Sequence, residues 1–114
     1  MIIGLDLNEY QNFCETTWFG DNTRTPERNI AHAALGLAGE TGEVIELVKK
    51  ADRGDGCGLI DQTKLTLELG DALYYIVTLA RLNGIRAQDI VNCNVAKLRD
   101  RMRRGVLHGS GDNR

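Results

Sequence analysis

The sequence predicts an all-α domain built as a four-helix bundle. Apolar residues recur every three to four positions along the long segments, no sustained strict alternation of strand type occurs, and the single proline, Pro26, stands where a helix can begin. The 114 residues suit one domain over 1–114, with an irregular tail from about 105 onward.

The first helix is expected over about Leu7 to Phe19, with Leu7, Tyr10, Cys14, Thr17 and Trp18 on one side. "GDNTRT" follows as a loop. Thr25 is a good N-cap with Pro26 at the first helical position, and the second helix then runs to about Asp52, where "DRGDGCG" breaks it. Asp61 caps a third helix that stops at Asn83-Gly84, where glycine can take the left-handed conformation. Its stretch "LTLELGDALYYIVTLA" (Leu65 to Ala80) is apolar nearly all round, which predicts a buried central helix. The fourth helix covers about Ala87 to Arg104, stops at Gly105 and carries the apolar stripe Val91, Val95, Leu98 and Met102. The short connection between the second and third helices makes them antiparallel neighbours.

The formal charge of −2 argues against a global attraction to nucleic acid. It is unevenly spread: Arg86–Arg114 holds seven Lys/Arg against three acids, and the rest is net acidic. Three cysteines without C-x-x-C spacing signal neither a disulfide framework nor a zinc site. No basic leader with a long apolar run and no stretch of membrane-spanning length is present, so a soluble, cytoplasmic protein is expected.

Glu40 and Glu43 sit one turn apart in the second helix, yet Ala33, Leu37, Val44 and Leu47 around them are apolar. A carboxylate in that setting loses hydration and needs a counter-charge. In the third helix the only charges between Leu65 and Ala80 are Glu68 and Asp71, again three apart. Two antiparallel helices would thus bring four carboxylates together, and without a cation some would have to take up protons. Hard divalent cations prefer such oxygen ligands. A lone E-x-x-E is ordinarily a solvated face; two pairs on adjacent helices, each interrupting an apolar stripe, favour a metal. Glu46, with Lys49 and Lys50 near it, is a surface residue. Gly36, Gly39 and Gly42 each cost roughly 1 kcal/mol against alanine in a helix and form a side-chain-free strip suited either to close helix packing or to an approaching ligand.

With "GLAGETGEVIELVKK", "ELGDALYYIVTLARLNGI", "NVAKLRDRMRRG" and a terminal "NR", the chain resembles the MazG-like all-α nucleoside triphosphate pyrophosphohydrolases, in particular their small single-domain phage and bacterial branch. The resemblance covers roughly Ala31 to Arg114, with "YQ" at Tyr10–Gln11 adding a weaker fit. The family's E-x-x-E, spacer and E-x-x-D fall on Glu40, Glu43, Glu68 and Asp71, with 24 residues between Glu43 and Glu68. It implies that these acids bind Mg²⁺, for which Mn²⁺ could substitute, and that a nucleoside triphosphate is cut between its α and β phosphates. Two departures stand out. Gly39 occupies a position where many relatives carry a third Glu, and "MRRG" replaces an aromatic–proline pair at the end of the fourth helix.

One carboxylate can orient water or accept its proton, and Glu43, beside the glycine strip, is expected to do so. On the fourth helix Asn94, Lys97, Arg101 and Arg104 form a polar stripe that by spacing alone is a solvated basic face; the resemblance at "NVAKL" raises Asn94 and Lys97 to substrate contacts, with Lys97 on phosphate and Arg101 a weaker candidate. Arg114 could fold over the phosphates. Tyr75, one turn beyond Asp71, fits either a base or sugar contact or a core tyrosine, and Trp18 either a core position or a stacking platform. His32 is expected to be a satisfied helix residue and His108 a solvated tail residue. The apolar third helix and the resemblance both imply a homodimer or homotetramer. Alternatives are a narrow dUTP or dCTP pyrophosphatase on the same scaffold, a non-catalytic metal-binding helical interaction module, and a nucleic-acid binder on "KLRDRMRR", against which Asp100 and the near-neutral charge argue.

Overall fold

Asp6 opens the first helix with a reciprocal cap: its carboxylate accepts from the Glu9 amide at 2.8 Å, and the Glu9 side chain accepts from the Asp6 amide at 3.1 Å. The computed structural model describes residues 4–19, 24–106, 108, 109 and 111. In these the order is α1 (Leu7–Glu15), α2 (Pro26–Asp52), a short turn at Asp55–Gly58, α3 (Gln62–Leu82) and α4 (Ala87–Arg104), with no strand among the described residues. The all-α reading therefore holds. Among the described residues no helix is long and apolar enough to cross a membrane.

The expected caps of α2 and α3 are present. Thr25 Oγ1 accepts from the Arg28 amide, Asp61 accepts from the Lys64 amide, and Gly105 ends α4 in the left-handed region at φ 71°. Helix α1 stops at Glu15, short of the expected Phe19. Thr16 and Thr17 turn their hydroxyls back to the Phe13 and Cys14 carbonyls at 2.6 and 2.8 Å, which competes with further helix.

Helix α4 has no side-chain cap of its own. Its first amides are capped from α1 instead: Gln11 Oε1 accepts from Ala87 N and Asn8 Oδ1 from Gln88 N, both at 3.0 Å. The Gln11 amide nitrogen also donates to the Val77 and Ile85 carbonyls at 2.9 and 3.0 Å. A buried glutamine with both ends satisfied therefore ties α1 to the α3–α4 turn. Around it lies a small core of Cys14, Val77 and Ala87, with Leu7, Tyr10 and Tyr74 packed against it.

Helices α2 and α3 make the main packing interface, whereas α4 touches only α1 and α3 among the described elements. The expected burial of α3 is not met within the chain: Leu67 and Leu69 are exposed, as are Leu35 and Ile45 on α2. The stripe Val91, Val95, Leu98 and Met102 on α4 is exposed as well. The radius of gyration, 17.0 Å, exceeds the roughly 13 Å of a compact domain of this length. Apolar patterning in α3 and α4 therefore marks surface that the chain itself leaves uncovered.

Candidate functional site

The antiparallel α2 and α3 bring Glu40, Glu68 and Asp71 together. One ligand oxygen from each lies within 4.8 Å of the others. Burial pushes the Glu40 carboxyl above its ordinary value, and the neighbouring Asp71, Glu68 and Glu43 charges push it further, with a hydrogen bond to Glu68 favouring the protonated form. Three oxygen donors converging from two helices suit a hard divalent ion, so the residues present fit the metal that the sequence anticipates.

Glu43 does not join this group. It is exposed to solvent, as Asp71 is, and lies outside the set of converging oxygens, yet close enough for its charge to act on Glu40. Glu46 pairs with Lys49 at 3.8 Å on the surface, as expected. Of the three glycines only Gly36 meets a close neighbour: a Cβ there would fall within the Tyr75 ring, whereas Gly39 and Gly42 have nothing within 4 Å.

Tyr74 and Tyr75 connect the acids to an aromatic cleft. Together with Glu40 and Asp71 they line an open hollow of about 280 Å³. On their other side they line a second hollow of about 290 Å³ with Thr17, Trp18, Phe19, Arg24 and His32. Trp18 and His32 meet edge to face, with centroids 5.2 Å apart, and Arg24 Nη1 lies 2.6 Å from His32 Nδ1. Trp18 is therefore part of a cleft wall rather than of the core. His32 is exposed, and its partners are Arg24 and Trp18 across the cleft, not its own helix. Arg24 and His32 are the cleft residues that sequence reasoning passed over. The available signal was spacing, because His32, Gly36 and Glu40 recur every four residues on one face of α2.

The α4 residues lie elsewhere. Asn94 and Lys97 line a separate groove of about 310 Å³ with Ile90 and Cys93, and α4 makes no contact with α2 among the described residues. Arg101 is a correction to the expected polar stripe: it is 5 % exposed and its Nη2 donates to the Gly111 carbonyl at 3.3 Å, so it holds the tail. Arg104 pairs with Asp100 at 2.8 Å. Arg114 lies outside the described residues.

Residues 28–106 match the family model of the MazG nucleotide pyrophosphohydrolase domain. The chain is also similar to the Gene 37 protein of Mycobacterium phage L5, 40% identical over 88 residues that span 75% of this chain and 76% of that protein. No solved structure matches it.

Proposed function

The chain belongs to the MazG nucleotide pyrophosphohydrolase family, and on that premise we propose that it hydrolyses nucleoside triphosphates between the α and β phosphates. The observation that carries this reading is the meeting of Glu40, Glu68 and Asp71 beside an aromatic cleft. These three would hold Mg²⁺ or Mn²⁺ through carboxylate oxygens. Such an ion, when bound, neutralises phosphate charge and acidifies coordinated water.

In the reaction the oxygen of water bonds to the α phosphorus, the bond from that phosphorus to the bridging oxygen breaks, and the electron pair leaves with pyrophosphate. The proton of the water needs an acceptor. We assign Glu43, exposed and one turn from Glu40, to that task. Tyr75 and Trp18 are assigned to the sugar and base, and Asn94 and Lys97 to the phosphates, Lys97 as a point charge. Those last two stand on a helix that does not touch α2 within one protomer, and large apolar residues on α2, α3 and α4 are uncovered. We therefore assign the working site to a homodimer or homotetramer in which a second copy covers these faces.

The test is pyrophosphate release from a panel of ribo- and deoxynucleoside triphosphates, with Mg²⁺ or with EDTA. The expected result is metal-dependent formation of monophosphate and pyrophosphate, reduced about 10²-fold or more in Glu43→Gln and Asp71→Asn. Mg²⁺ should also raise the unfolding midpoint of the wild type and not that of Asp71→Asn. A folded protein that binds the ion yet turns over no triphosphate would be a metal-binding helical module instead.

A further inference from the structure

Aromatic walls do not distinguish one nucleobase from another, because every base presents a π-face for stacking. Discrimination comes from hydrogen bonds at the base edge. In the hollow beyond Tyr74 and Tyr75, the nitrogen groups that line it are donors, beside hydroxyls that can play either part.

Arg24 carries only donors, so its 2.6 Å contact with His32 Nδ1 makes that nitrogen the acceptor. The imidazole proton is thereby assigned to Nε2, which leaves His32 with a donor to offer. Trp18 Nε1 is buried and has no hydrogen-bond partner among the described residues. A buried N–H without a partner is uncommon enough to need an explanation. The Thr17 hydroxyl already donates to the Cys14 carbonyl at 2.8 Å and stands 3.1 Å from the Tyr74 hydroxyl. No carboxylate is among the described residues lining this hollow.

We propose that this hollow is a nucleobase seat that selects oxo bases over amino bases, with Arg24 and His32 as the readers and Trp18 as a stacking wall. The inference rests on the nucleotide reading above and deepens it. Guanine offers O6 and N7, and uracil and thymine offer O4 and O2, as acceptors for this donor set; the exocyclic amines of adenine and cytosine would face it donor against donor. The preferred substrates are then guanine, uracil or thymine nucleotides.

Trp18 is the only tryptophan in the chain, so its fluorescence reports the seat directly. Titration with GMP, UMP and TMP should quench it with dissociation constants at least about tenfold below those for AMP and CMP. Arg24→Met should narrow that gap, by weakening the oxo-base ligands and relieving the donor clash with AMP and CMP. Equal affinities for all five, or no quenching by any, would overturn the proposal. So would a uniform loss in Arg24→Met, which would make Arg24 a phosphate contact. Because the readout needs no turnover, the two readings fail separately: a base gap in a protein inactive on every triphosphate removes only the hydrolase, and turnover without a gap removes only the seat.

Discussion

The ring of Tyr75 occupies the space that a Cβ on Gly36 would take. The contact sets how closely α2 and α3 approach, and it places Tyr75 between the acids and the aromatic cleft. A glycine in a helix interior ordinarily gains about 1 kcal/mol on change to alanine. At Gly36 overpacking, typically 1–3 kcal/mol, opposes that gain. Gly36→Ala should therefore lower stability and hydrolysis, while Gly39→Ala and Gly42→Ala, which meet nothing within 4 Å, should each raise stability by up to about 1 kcal/mol. Denaturant midpoints of the three variants decide this; a stabilised Gly36→Ala would mean that Tyr75 moves aside freely.

Gln11 joins three backbone groups from distant parts of the chain, the Val77 and Ile85 carbonyls and the Ala87 amide. Replacing it with leucine keeps the bulk and leaves those groups buried without partners, at about 1–3 kcal/mol each. Gln11→Leu should lose at least about 2 kcal/mol and free the start of α4. Hydrogen exchange at the Ala87 amide should quicken along with that loss. Unchanged exchange would show that water replaces the glutamine.

What the sequence makes legible is local. Thr25, Asp61 and Gly105 announce the ends of α2, α3 and α4 because each cap acts on its own neighbours. The two acidic pairs are visible by spacing, but which three oxygens meet depends on how α2 and α3 cross, and that leaves Glu43 aside. Burial on α3 and α4 misleads, since apolar patterning does not say whether a face is covered by the same chain or by another. The Arg24–His32 contact needs the Arg24 side chain, two residues before α2, to reach along that helix, and the Asn8 and Gln11 caps of α4 bridge most of the chain. No local pattern encodes these.

The small core should also make the fold sensitive to alkali. Burial pushes the Cys14 thiol above its ordinary 9.0, partly offset by its bond with Tyr10 and by the Arg81 charge. Burial, then the bond to Cys14, raises the Tyr10 phenol from 10.0. Both groups hold their protons more tightly folded than unfolded, so their stabilisation is complete below the unfolded values and is lost as pH rises. The denaturant midpoint should stay level to about pH 9 and then fall, with Cys14 removing up to about 1.4 kcal/mol per pH unit. Cys14→Ala should remove the first part of that decline; an identical slope in the variant would assign it to other groups.

The separation of acids and cations can be tested by complementation. If the site joins Glu68 on one copy to Lys97 on another, Glu68→Gln and Lys97→Ala proteins fail for different reasons. In a dimer mixed at random in equal parts, half the molecules carry one of each chain, and one of their two sites is intact. Activity should return to about a quarter of wild type. Adding Val95→Glu and Met102→Glu places charge on the exposed α4 stripe, so the same chains should sediment as smaller species and regain nothing. Mixed assemblies that form but stay inactive would put both halves of the site within one protomer, and α4 would then have to swing towards α2 when nucleotide binds.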